Sequence, residues 1–302
     1  MSNGTLKAAA GALLTLSLSM PAAAVIDWEK GDPLSQFHVL QENHRRSGAR
    51  APSFAKIIGG ADATSEFQNQ NGLVLIAIHS ENGGSLCTGT LISSRAVLTA
   101  AHCLDDSINK IDMIMVFFIE NLDQAPEESA RYGIKWKIHE SFLESIKLNE
   151  IFSSKIPLND IALLFLNEEA PAATKLVRLP SLDLTPRPLA VGDKLMLAGY
   201  GATKSNTAAS SKAYRTTSER LKTVDDIEII STAPNADEFT IKQDTKGACT
   251  GDSGGPAFAK SNDGLLTQVG IASRVTTPGC LGIGVYTNIS NYLTWIKKYS
   301  QL

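Results

Sequence analysis

The sequence predicts an all-β fold of two successive β domains, closed by one C-terminal α-helix. Three observations carry this. Beyond residue 57 the chain is a series of short apolar runs separated by Gly, Asn, Asp and Pro clusters, which is how strands alternate with turns. Pro171, Pro180, Pro186 and Pro188 crowd one connection and place a domain boundary near residue 180. One convincing helical pattern occurs, over Asn291–Tyr299, where Tyr292, Leu293, Trp295, Ile296 and Tyr299 are apolar. At 302 residues, with 43% hydrophobic and 20% charged residues, the chain can build a sizeable core, which excludes disordered, collagenous and coiled-coil classes.

In chain order, Lys7 precedes an apolar run from Ala8 to Met20, and Pro21 and Ala22-Ala23-Ala24 follow. A short apolar stretch ending in small residues reads as a secretory signal over residues 1–24. It is too short to span a bilayer and is interrupted by Thr15, Ser17 and Ser19. Residues 25–56 differ in texture: Asn43–Pro52 is polar, basic and aperiodic, a loose segment that proteases can reach. The predicted strands then follow at Leu73–Ile78, Ala96–Ala100, Met113–Ile119, Ile161–Leu166, Lys194–Ala198, Ile227–Ile230, Gln268–Ala272 and Gly284–Thr287.

Charge excludes some partners. The net charge is −3, with six basic and four acidic side chains in residues 1–56 against 22 and 27 in the rest. With no basic stripe, nucleic acid is not an expected partner. The four cysteines, Cys87, Cys103, Cys249 and Cys280, fit two disulfides in an exported chain, with three pairings open. Zinc would need close C-x-x-C or H-x-x-x-H pairs, and the sequence has none. The acidic stretch Glu120–Glu128 lacks the spacing of a calcium loop. No metal or cofactor is expected.

The sharpest local signal is Gly251-Asp252-Ser253-Gly254-Gly255-Pro256. A serine among glycines sits where backbone N–H groups can approach a ligand, so one turn can expose a nucleophile and donate to an oxyanion. Glycine-rich turns with Asp and Ser are also common as plain structure. The string satisfies the nucleophile elbow of α/β-hydrolases, but that order needs a histidine after the serine, and the last histidine is His139. The histidines beyond residue 57 are His79, at a strand end, His139, after Trp136-Lys137-Ile138, and His102, in Thr99-Ala100-Ala101-His102-Cys103.

Four motifs occur in one order: Ile57-Ile58-Gly59-Gly60, Thr99–Cys103, Asp160-Ile161-Ala162-Leu163-Leu164 and Gly251–Pro256. Together they resemble the chymotrypsin/trypsin-type serine proteases. Gly199-Tyr200-Gly201, Gly284-Val285-Tyr286 and the terminal Trp295 helix agree with this, and the likeness runs from Ile57 to the C-terminus. The resemblance implies two packed six-stranded antiparallel β-barrels, over residues 57–180 and 181–302. It implies Ser253 as nucleophile, His102 as general base and then acid, and Asp160 as the carboxylate that orients the imidazole. The N–H groups of Gly251 and Ser253 would form the oxyanion hole. It pairs Cys87 with Cys103 and Cys249 with Cys280, each bond contributing about 2–4 kcal/mol. Residues 25–56 become an activation segment: a cut after Lys56 would free the Ile57 ammonium to pair with Asp252 in the interior.

By the same resemblance the specificity pocket holds Gly247 and Ala248, then Ser273-Arg274-Val275 opposite, then Gly284. Gly247 supplies no carboxylate for a substrate Lys or Arg, and burying either unpaired is costly. Val275, where glycine is frequent, narrows the mouth. Arg274 departs from the usual aromatic; it either attracts acidic substrate residues or is merely solvated. The expectation is a secreted, monomeric serine endopeptidase, extracellular or periplasmic, elastase-like on small to medium apolar residues. It would be made as a zymogen, activated by a trypsin-like protease, and would act on protein or peptide substrates. The alternative is a catalytically silent, protease-fold binding protein.

Overall fold

A computed structural model of the chain describes residues 57–80, 83–106, 110–145, 158–181, 188–201, 220–232, 236–261, 264–276 and 280–301. The signal reading, the activation segment and Lys56 lie outside the described residues. From Ile57 the elements run β1 (Ala61–Asp62), α1 (Ser65–Gln70), β2 (Leu73–Ser80), β3 (Gly83–Ser93) and β4 (Ala96–Thr99). Then come β5 (Ile111–Phe117), β6 (Ala130–Ile138), β7 (Ala162–Leu166), β8 (Lys194–Gly199) and β9 (Lys222–Ser231). The chain ends with β10 (Glu238–Gln243), β11 (Pro256–Lys260), β12 (Leu266–Val275), β13 (Gly282–Asn288) and α2 (Leu293–Tyr299).

Two closed antiparallel barrels result. The first runs β2-β3-β4-β7-β6-β5 around the ring. The second runs β9-β10-β13-β12-β11-β8 and closes through β8–β9, with β1 added outside β9. Closure removes the unpaired edges that an open sheet would expose. Each expected strand is present, and among the described residues five further ones appear: β1, β3, β6, β10 and β11. β3 is rich in Gly, Ser and Thr rather than apolar residues, because the first barrel has little room there. A Cβ at Gly89 would come within 2.6 Å of Val97 Cγ1 and 2.9 Å of Ile76 Cδ1.

The two ends of this region pack on opposite barrels. Ile57, 1% exposed, joins the second barrel's core with Leu197, Ile229, Phe239 and Tyr286. The C-terminal segment instead packs Ile289, Tyr292, Leu293 and Ile296 into the first barrel's core. Its first turn is a 3₁₀ helix over Ile289–Tyr292, with the Asn288 side chain accepting from Ser290 N–H at 3.2 Å. The α-helix therefore starts two residues later than the sequence pattern suggests. Trp295 and Tyr299 donate to the two oxygens of Glu140 at 3.0 and 3.3 Å. No helix among the described residues is long and apolar enough to cross a membrane.

Candidate active site

Strand register brings His102 and Asp160 together. In the β4–β7 ladder, Ala96 faces Phe165 and Thr99 faces Ala162, so residues just after β4 lie beside those just before β7. After β4 the small residues Ala100 and Ala101, both fully buried, let the chain turn tightly into a 3₁₀ helix over Ala101–Cys103. Before β7, Asn159 takes φ +60 and Ile161 N–H donates back to its carbonyl at 2.8 Å, aiming Asp160 at that turn. The two Asp160 oxygens divide the work. Oδ1 accepts the His102 backbone N–H at 2.9 Å. Oδ2 lies 2.7 Å from His102 Nδ1 and accepts the Ser273 hydroxyl at 2.6 Å. Nδ1 therefore carries the proton, which leaves Nε2 as the basic atom of the neutral ring.

Electrostatics sharpen the pair. Burial alone would lower the His102 pKa, but the charge and hydrogen bond of Asp160, with a lesser pull from Asp105, outweigh it and set it above the ordinary imidazole value. Burial works against the Asp160 carboxylate too, yet the His102 charge and the hydrogen bonds from His102 and Ser273 hold its pKa below the ordinary range. A buried carboxylate with this many donors stays ionised.

Ser253 comes to this pair through Thr88. Thr88 N–H donates to the Ser253 carbonyl at 2.8 Å, and its neighbour Cys87 is disulfide-bonded to Cys103, which directly follows His102. The Thr88 hydroxyl, fully buried, donates to the Gly251 carbonyl at 2.9 Å and accepts Tyr200 N–H at 3.1 Å. One side chain of the first barrel thus holds the serine turn of the second. Gly251, at φ +96, and Gly254, at φ +79, take conformations that favour glycine. A Cβ at Gly254 would also strike the Thr99 hydroxyl. Neither the Gly251 nor the Ser253 N–H is spent on a protein acceptor among the described residues. Nothing in the sequence singles out Thr88.

Asp252 points inward, 1% exposed. It accepts N–H groups from Gly201 and Cys249, each at 2.8 Å. Burial pushes its carboxyl up to about 7, against the pull of those two donors. The start of the described chain reaches the same region: Ile58 and Gly247 exchange backbone hydrogen bonds at 3.1 and 3.0 Å.

Beside Ser253 lies a pocket of about 180 Å³, bounded by Ala248–Thr250 on one wall and Ser273–Val275 on the other. Cys249 and Cys280 are disulfide-bonded across it. Both disulfide pairings are those the resemblance implies. His102 also neighbours Cys87 and Cys103, with ligand atoms within 4.8 Å of one another, but both sulfurs are held in the disulfide and no thiolate remains for a metal. Arg274 has a protein partner that neither expectation included. Its guanidinium grips Glu238 with two hydrogen bonds of 2.6 and 2.7 Å, and the side chains are 25% and 17% exposed. A planar fork meeting a carboxylate in this way uses up the charge of both. Glu238 lies on β10, a strand the sequence reading missed. Gln243, at the end of the same strand, was missed with it and also lines the pocket.

Comparison with known proteins agrees with this geometry. The trypsin family model matches residues 57–296. A chymotrypsin of Phaedon cochleariae is 30% identical over 229 residues, covering 71% of this chain and 72% of its own length. Phenoloxidase-activating factor 3 of Holotrichia diomphalia is 29% identical over 228 residues, and human atrial natriuretic peptide-converting enzyme 28% over 227. These matches cover 70% and 74% of this chain but span 63% and 21% of those two relatives. Among solved structures, human heparin binding protein aligns with a TM-score of 0.60 at 21% identity, covering 81% of this chain and 97% of its own. HL collagenase aligns with a TM-score of 0.62 at 20%, covering 82% and 99%. At that identity the two structures speak for the fold alone. A family model that matches most of the chain, over the two expected six-stranded antiparallel barrels, makes this chain a member of the trypsin family of chymotrypsin-type serine proteases.

Proposed function

We propose that the chain is a secreted serine endopeptidase, made as a zymogen and activated by a cut after Lys56. The observation that carries this is the His102–Asp160 contact of 2.7 Å, with the carboxylate fully buried and Ser253 at the edge of the adjoining pocket. In this reading the Ser253 hydroxyl attacks the substrate carbonyl carbon while His102 Nε2 takes its proton. The Gly251 and Ser253 N–H groups receive the oxyanion, each such donor worth about 100- to 1,000-fold in rate. His102 then gives its proton to the departing amine as the C–N bond breaks, leaving an acyl group on Ser253. Water, deprotonated by the same imidazole, releases the acid and restores the serine.

The pocket supports a preference for small to medium apolar residues before the scissile bond. Gly247 brings no carboxylate, and Arg274 is bound to Glu238, so no charge is free there to meet a substrate cation or anion. The activation bond follows a lysine, so a second, trypsin-like protease would do the activating. A fluorophosphonate probe tests the core of the reading. The chain cut after Lys56 should label covalently at Ser253, and the uncut chain should label at least tenfold more slowly. Absence of labelling in the cut form would favour the catalytically silent binding protein.

A further inference from the structure

Gly247 and Gly284 suggest an open, deep pocket, since each removes a side chain from its floor. The room they leave is already filled. A Cβ on Gly247 would lie 2.6 Å from both Cγ and Cδ of Gln243, and a Cβ on Gly284 would strike Gln243 Oε1. Gln243 is fully buried, ends β10, and is registered opposite Gly282 on β13. Its amide is fixed by three contacts. Nε2 donates to Ala248 O at 3.0 Å and to Cys280 O at 2.7 Å, and Oε1 faces Ala248 N–H at 3.3 Å. Two carbonyl acceptors demand the NH₂ at that end, so the orientation of the amide is determined by its partners. The same side chain ties the Ala248 wall to the Cys280 wall, alongside the Cys249–Cys280 disulfide.

We infer that Gln243 is a specificity-determining residue: it forms the floor of the pocket and ends it at the depth of a short side chain. This rests on the endopeptidase reading and narrows it. The residue before the scissile bond would be of Ala, Ser or Val size. Leu and Phe would have to displace an amide whose polar groups are satisfied, leaving the Ala248 and Cys280 carbonyls without their donor. A longer side chain also cannot push the floor down, because the Gly247 and Gly284 backbones lie against it.

The test compares matched peptides that differ only in the residue before the cut, using the chain cleaved after Lys56. The wild type should cleave after Ala at least tenfold more efficiently, in kcat/KM, than after Phe. Gln243→Ala should raise the Phe-to-Ala ratio at least tenfold, even if the absolute rate falls through looser walls. Equal wild-type rates after Ala and Phe would overturn the inference without any variant, and so would a ratio that Gln243→Ala leaves unchanged. A binding measurement separates this from the catalytic reading. In the Ser253→Ala background, the same peptides should bind with Kd values ordered Ala tighter than Phe, and Gln243→Ala should reverse or flatten the order. If nothing is cleaved and no probe labels Ser253, the endopeptidase reading falls, while the Kd order still decides whether Gln243 sets the floor.

Discussion

Asp252 offers a measurable link between cleavage and stability. Its carboxyl is fully buried and its pKa is pushed up to about 7, against an ordinary value near 3.8. An acid whose pKa is raised by folding binds a proton more tightly in the native chain. Its contribution to stability is therefore fully present below the ordinary carboxylate range and is lost as pH rises through about 7. The difference of about three pH units corresponds to about 4 kcal/mol, at about 1.4 kcal/mol per unit. The uncut chain should thus lose about 4 kcal/mol between about pH 4 and about pH 8 from this group alone. If cleavage delivers the Ile57 ammonium to Asp252, the carboxylate gains a partner and the loss disappears. The stability gap between cut and uncut chains should be small at pH 4 and about 4 kcal/mol at pH 8, where an ion-paired α-amino group is still protonated. Urea unfolding of the Ser253→Ala chain, cut and uncut, reads the gap without self-digestion. A gap below about 1 kcal/mol at pH 8, or one equally large at pH 4, would refute the pairing.

Other perturbations test the remaining contacts. Asp160→Asn should lower kcat by about 10⁴-fold, because an amide that donates to Nδ1 puts the imidazole proton on Nε2, where it cannot accept from Ser253. The acid limb of any residual activity should move to lower pH, since the charge that raises the His102 pKa is gone. Thr88→Val should lower kcat at least tenfold with KM nearly unchanged and cost about 1–3 kcal/mol in thermal unfolding, because Gly251 O and Tyr200 N–H lose their partner. Thr88→Ser should restore both, and a Val variant with wild-type kcat would remove Thr88 from the site. Gly247→Asp should abolish turnover without creating cleavage after Arg or Lys, as assayed on tripeptide amides, because its Cβ collides with Gln243.

The catalytic motifs were legible because they are contiguous strings whose order along the chain is distinctive. What joins them was not. The turn that carries Ser253 is held by Thr88, a residue of β3, and β3 carries too few apolar residues to look like a strand. Its small residues are demanded by the crowding at Gly89, which appears once β2 and β4 are folded around it. Gln243 and Glu238 were lost for a related reason. The alternation in β10 is present, with Phe239, Ile241 and Gln243 buried on one face, but an inward-facing glutamine breaks the apolar pattern that marks a strand. Arg274 was recognisable as unusual, yet its partner lay 36 residues upstream on that same unrecognised strand. The helix over Asn291–Tyr299 was legible from its spacing, while its 3₁₀ start depends on the Asn288 cap.

The exchange of ends between the barrels has a consequence for how the chain is made. Ile57 is made early yet belongs among Leu197, Ile229 and Phe239, which come well over a hundred residues later. The first barrel, by contrast, keeps a greasy flank uncovered until Ile289, Tyr292, Leu293 and Ile296 have been synthesised. Neither core is complete until residues distant in the chain have joined it, so the two barrels finish folding together. The same clasp works in reverse once the molecule is built. A nick in the connection between β7 and β8 would yield two fragments, each still carrying a strap buried in its neighbour, and separating them would require unfolding rather than mere dissociation.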